Sequence, residues 1–273
     1  MCSIARSTWA LMWTLSMTVG DRVELKTHEL RCETSGAGER HFLCLHGLVD
    51  TLGIWKRLVP ALEKRSVVTR FDQRGHGESD APAGPYTRKA LAQDAIDVLD
   101  SLAVPRATLI GHSMGGVVAM EAALQFPDRV NGLVLIGTTS ECRSRVADWY
   151  ERIALAGEER GCDGLAQTIY GKESHKKISG NAQGIAHVTR MLKSLCADPL
   201  TPHLKDMRCP VLLLVGEADP MGPKASEIIR DALPSGCATF EMIPERGHWL
   251  HLDSHEAVID AINAWMPTQV RGR

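Results

Sequence analysis

Four apolar runs constrain this chain more than any other feature: HFLCLH (41–46), ATLIGH (107–112), VNGLVLIG (130–137) and CPVLLLVGEAD (209–219). Each is short for a helix and lacks the alternation of a strand with one wet face. A strand that is apolar on both faces must be covered on both. The stretches between the runs have helical spacing: 89–102 carries Leu91, Ala95, Val98, Leu99 and Leu102 on one side, and 114–126 ends at Pro127. Short buried strands alternating with amphipathic helices predict a parallel sheet with helices on both faces. Further elements fit that rhythm: a helix over 53–64, a strand SVVTRFD (66–72), a helix over 224–233, a strand ATFEMI (238–243) and a final helix over 254–266. VELKT (23–27) and HELRCET (28–34) alternate in polarity and predict an opening hairpin.

The rhythm stops at Thr138. From there to about Leu204 the pattern is helical and polar, interrupted by Gly157, Gly161, Gly164, Gly171, Gly180 and Gly184, with no strand run. An insertion of this size between two sheet strands predicts a helical cap over residues 139–204, with the core formed by 17–138 and 205–273. Residues 1–16 include a short apolar stretch, Trp9 to Leu15, without an A-x-A cleavage site and far too short to span a bilayer. They are expected to be a loose N-terminal extension.

A chain of 273 residues, 44% hydrophobic and 23% charged, is long enough to bury one large domain with an insertion. The net charge of −2 and the scattered lysines and arginines leave no footprint for nucleic acid or an anionic membrane. The expected partner is a small molecule, bound by a monomer or small homo-oligomer. Eight cysteines form no C-x-x-C pair and no zinc spacing with histidine. Free thiols in the cytoplasm and the absence of a metal or organic cofactor are the expectations.

GHSMG (111–115) stands where a strand turns into a helix. In that context the glycines leave room for strand and helix to cross, so that Ser113 can point out of a strained turn toward the helix N-terminus. A serine nucleophile needs a base, and the base needs an acid to orient it. In this architecture those partners follow Ser113 along the chain, on loops after later strands. Asp219 follows LLLVGEA, and His248 lies in PERGHW after ATFEMI; Glu217, His251 and His255 compete less well by position. Gly47 in LHGLVD permits a sharp loop whose Leu48 N–H, with that of Met114, could form an oxyanion hole. His46 is expected to bond the loop backbone.

LHG, FDQRGHGES (71–79), GHSMGG (111–116), PVLLLVGEADP (210–220) and GHW (247–249) follow one another in the order of the serine α/β-hydrolase superfamily, which this chain resembles from about Val23 onward. The resemblance implies a mostly parallel eight-stranded sheet with helices on both faces and a helical cap insertion. It also implies ester or lactone hydrolysis through an acyl-enzyme at Ser113, Asp219 and His248. The stretches 84–102 and 148–171 look most like the 3-oxoadipate enol-lactonase group. A C–C bond hydrolase or a cofactor-free perhydrolase would use the same triad, and a small-molecule receptor of the same fold would keep it. Asp72, Arg74 and His76 belong to a segment that is chiefly a structural loop in the superfamily. Trp55, Trp149 and Trp249, with Tyr150, are candidates to line a substrate pocket, large aromatics being otherwise core. Arg143 and Arg145 could hold a carboxylate but fit a solvated face.

Overall fold

The computed structural model describes residues 22–266; the extension at residues 1–16 lies outside them. Its sheet has eight strands: β1 (Arg22–Glu24), β2 (Glu29–Gly36), β3 (Arg40–Leu45), β4 (Ser66–Phe71), β5 (Ala107–His112), β6 (Val130–Ile136), β7 (Val211–Gly216) and β8 (Ala238–Ile243). They lie in the order β1-β2-β4-β3-β5-β6-β7-β8. The opening hairpin makes β2 antiparallel to β1 and β4, and every later pairing is parallel. Strands β5 and β7 are buried along their whole length, as two covered faces require.

Helices α1 (Val59–Leu62), α2 (Arg88–Ser101), α3 (Met114–Gln125), α4 (Ser144–Tyr170), α5 (Ala182–Lys193), α6 (Pro223–Ala232), α7 (Leu250–Asp253) and α8 (His255–Trp265) surround the sheet. Two apolar clusters fill its two faces. One joins Leu43, Leu109 and Leu133 to α2 and α3; the other joins Phe42, Ile110 and Val134 to Trp55 and α8.

The expected helix over 53–64 is not continuous. A 3-10 turn, Leu52–Trp55, is capped by the Thr51 hydroxyl accepting from Gly53 N–H, and the single turn α1 follows. Pro60 accounts for the break: it stands in the first turn of α1, where a missing N–H is tolerated, but it has no N–H to give the Lys56 carbonyl, the bond that would join the two turns into one helix.

Trp55 corrects an expectation. Its side chain is fully buried in the cluster that holds Ile54, Leu58 and Val258, against the His251 ring at 5.0 Å, and it does not line the cavity described below. Trp55→Ala should therefore lower stability by about 3–5 kcal/mol, read by denaturant unfolding, through lost burial and the void left behind.

Between β6 and β7 the chain is helical throughout its two long elements. Of the glycines in α4 only Gly161 interrupts it, with φ 66° and ψ −155°, so the segment is two helices joined at a kink. Gly157 and Gly164 stay helical because they are contact points. A Cβ on Gly164 would lie 2.2 Å from the Ala156 carbonyl oxygen, and one on Gly157 would lie 2.8 Å from Leu165. Arg190 and Lys193 of α5 pair with Glu151 and Glu158 of α4 along their exposed side. At the base, Leu200 N–H donates to the Ser140 carbonyl and the Ser140 and Thr201 hydroxyls lie 2.7 Å apart.

Candidate active site

Because β3 and β5 to β8 are parallel, the loops leaving their C-terminal ends gather at one edge of the sheet, where ligands of open α/β sheets bind. Ser113 occupies the turn between β5 and α3 with φ 51° and ψ −115°, a conformation that non-glycine residues rarely adopt. Packing holds it there. Ser113 N–H donates to the Ile136 carbonyl at 2.9 Å, and its own carbonyl accepts from the Thr138 hydroxyl at 2.6 Å.

The glycines around it permit close approach, and not only between β5 and α3. A Cβ on Gly111 would lie 2.5 Å from the Gly115 carbonyl oxygen. One on Gly115 would lie 2.0 Å from the Leu45 carbonyl oxygen, on the neighbouring strand β3.

Asp219 and His248 meet at the ends of β7 and β8. His248 Nδ1 lies 2.9 Å and 3.1 Å from the two carboxylate oxygens of Asp219, whose side chain is fully buried. Met221 N–H donates to the Asp219 carboxylate at 2.8 Å, fixing it from the loop side. Gly137, with φ 53° at the end of β6, forms the floor: a Cβ there would come within 2.8 Å of the carboxylate and 3.1 Å of His248 Nδ1.

The competing residues lie elsewhere. Glu217 is exposed and accepts from Glu245 N–H at 3.1 Å. His251 is buried between Trp55 and His112, and burial pushes its pKa down to about 3.

Ser113, Asp219 and His248 share a cavity of about 260 Å³ with Leu48, Trp149 and Trp249. The inserted helices form much of its wall, through Tyr150 and Ile169 of α4 and Leu192 of α5. The surface is largely apolar, suited to a small molecule with a few polar anchors. Met114 opens α3, where its N–H has no partner within the helix. Leu48 lies in the loop after β3, beside Val49 at φ 61°.

His46 and the FDQRGHGES segment are engaged in structure. His46 contacts the Gly47 carbonyl at 2.8 Å through Nδ1 and accepts from Gln73 N–H through Nε2. Asp72 accepts from Leu52 and Glu78 N–H, and Arg74 grips Asp94 through two contacts of 2.6 Å. His76 forms a bridge to Gly180, so this loop also props the inserted segment. Arg143 and Arg145 are exposed and outside the cavity.

Three residues at the site escape sequence reasoning: Gly137, Thr138 and Asp50. Each lies beside residues far along the chain, and only the strand order, with β3 beside β5 and β6 between β5 and β7, brings them together. A glycine and a threonine immediately after an apolar strand were the available signal.

Comparison with known proteins supplies independent ground. A model of the alpha/beta hydrolase family matches residues 42–261. The chain is similar to 3-oxoadipate enol-lactonase 2 of Acinetobacter baylyi, 31% identical over 209 residues that cover 70% of this chain and 76% of that protein. It is also similar to 2-(acetamidomethylene)succinate hydrolase of Mesorhizobium japonicum, 25% identical over 266 residues, 89% of this chain and 94% of that one. Among solved structures, a thermophilic esterase from Thermogutta terrifontis superposes with a TM-score of 0.81 at 26% identity, covering 91% of this chain and 99% of the esterase.

Proposed function

Since the chain belongs to the alpha/beta hydrolase family, we propose that it is a serine hydrolase cleaving a carboxylic ester or lactone of a small molecule through an acyl-enzyme. The observation that carries this reading is the Asp219–His248 contact at 2.9 Å beside the strained Ser113, all three on one apolar cavity. The esterase and lactonase names among its relatives support it.

Ser113 Oγ attacks the carbonyl carbon while His248 Nε2 takes the hydroxyl proton, and Asp219 holds the imidazole by Nδ1 and stabilises the imidazolium. The N–H groups of Leu48 and Met114 receive the oxyanion, each such donor contributing about 3 kcal/mol to the transition state. Collapse breaks the bond to the leaving oxygen, which takes the proton from His248. Water, deprotonated by the same imidazole, then releases the acid and restores Ser113. Trp149 and Trp249 border the bound acyl group, and α4 and α5 act as its cap. A cytoplasmic location is part of the same proposal: the eight cysteines form no C-x-x-C pair and suit a reducing compartment.

A panel of short p-nitrophenyl esters, lactones, enol lactones and vinylogous diketones tests it. Hydrolysis of a short ester, unchanged by a chelator, is the expected result, with the lactones deciding the physiological bond. Folded protein inactive across the panel would overturn the assignment in favour of a binding role.

A further inference from the structure

We propose that Asp50 and His112 form a positioning pair, sharing one proton, that ties the loop after β3 to the loop carrying His248. Its effect on turnover rests on the function proposed above; the pair itself does not.

His112 Nε2 lies 3.1 Å from the His248 carbonyl oxygen. A carbonyl can only accept, so Nε2 carries the hydrogen. Burial holds the His112 pKa well below its ordinary value, with His251 and His248 acting in the same direction, so the ring is neutral and Nδ1 presents a lone pair. That Nδ1 is buried and makes no hydrogen bond among the described residues. A carboxyl oxygen of Asp50 lies 3.8 Å from it. Gly47 leaves the space between them open: a Cβ there would stand 2.8 Å from His112 Nδ1 and 2.9 Å from Asp50 Oδ2. The two groups thus face each other across the one residue with no side chain to part them.

A lone pair opposite a carboxylate is repulsive, whereas a protonated carboxyl can donate to it. Burial pushes the Asp50 carboxyl up to about 7, against the opposing pull of His248 and Lys176. The groups around it are His112 from β5, His248 from the loop after β8, Tyr170 from the end of α4, and Lys176, with Lys177 and Asp253 at the rim of an adjoining cavity. Protonated, Asp50 can donate its O–H to His112 Nδ1 once the two close from 3.8 Å to hydrogen-bond distance, and His112 Nε2–H holds the His248 backbone. Ionised, it releases that contact and leaves a negative charge two residues from Leu48, where the oxyanion develops.

Turnover should therefore fall on the alkaline side as Asp50 ionises. The stability effect has the same sense. A carboxyl whose folded pKa is raised adds stability that is fully present below its unfolded value and is lost as pH rises through about 7.

Asp50→Asn tests the pair, because its amide N–H can donate to His112 Nδ1 at every pH. The wild type should lose about tenfold in kcat within two pH units above its optimum, while Asp50→Asn stays level across that range. Asp50→Ala, with no donor, should also lose the alkaline fall but run at a lower kcat throughout. Histidine ¹⁵N spectroscopy reads the pair without activity: the His112 Nδ1 resonance should move between about pH 6 and 8 in the wild type and stay fixed in Asp50→Asn. A wild-type Nδ1 signal that does not titrate there, or one that titrates equally in the variant, overturns the pair whatever the turnover. A titrating signal in protein inactive on every ester keeps the pair and removes the hydrolase reading.

Discussion

Ser113→Ala should lose about four to six orders of magnitude in turnover while remaining folded, and His248→Ala should lose as much. Joining the two should add little, because members of a triad act as one unit. Asp219→Asn should cost somewhat less, since the imidazole survives without its orienting partner. The serine variant should be no less stable than the parent, its side chain bordering a cavity rather than filling the core. Glu217→Gln supplies the contrast. Its carboxylate is exposed and engaged with Glu245 N–H, so turnover should stay within about threefold of the parent. His251→Ala is a test of packing instead, expected to lower stability through the contacts with Trp55 and His112 and to retain most turnover. Single-turnover kinetics with a chromogenic ester measures all six. Glu217→Gln as inactive as His248→Ala would mean that the acid had been placed on the wrong residue.

The second large effect is on folding. Gly115→Ala adds one carbon, yet that carbon would stand 2.0 Å from the Leu45 carbonyl oxygen and 2.7 Å from that of His46. Both contacts are with backbone, at the last residue of β3 and the one after it, which cannot swing aside as a side-chain tip can. The helix must shift off β3, at about 3 kcal/mol or more, lowering the Tm by about 10 °C in calorimetry. Gly53→Ala is the control. Its Cβ would meet only the Thr51 hydroxyl at 3.4 Å, and stability should change by less than about 0.5 kcal/mol. Equal losses from the two substitutions would show that the crossing at Gly115 does not set the cost.

The sheet was legible because burial on two faces leaves its mark in consecutive residues: β3, β5, β6 and β7 coincide with the four apolar runs. The 53–64 stretch was not, since its apolar spacing is helical and only Pro60 decides where a helix can begin. In α4 the difficulty runs the other way. Several glycines suggest repeated breaks, but Gly157 and Gly164 answer to neighbours across the kink, and only Gly161 turns the chain. Asp219 and His248 could be singled out by the strand each follows, and they lie in contact. Trp55 could not be placed, because a tryptophan serves a core and a cavity equally well and nothing local distinguishes them. Asp50 and His112 are 62 positions apart in the chain, and their meeting depends on β3 lying beside β5.

The inserted segment leaves and rejoins the sheet at almost one point. Ser140 and Thr201 touch through their hydroxyls, Thr201 reaches Glu141 at 2.7 Å, and Leu200 N–H donates to the Ser140 carbonyl. With its ends clasped, lengthening the segment adds little loop-closure entropy, about 0.6 kcal/mol for a doubling. Residues 142–199, between the clasping residues, should therefore be exchangeable as a cassette, leaving the strand ends that carry Ser113, Asp219 and His248 in register. In an evolving lineage, the wall supplied by Tyr150, Ile169 and Leu192 can change its shape, and with it the molecules admitted, without re-solving the problem of folding the sheet beneath.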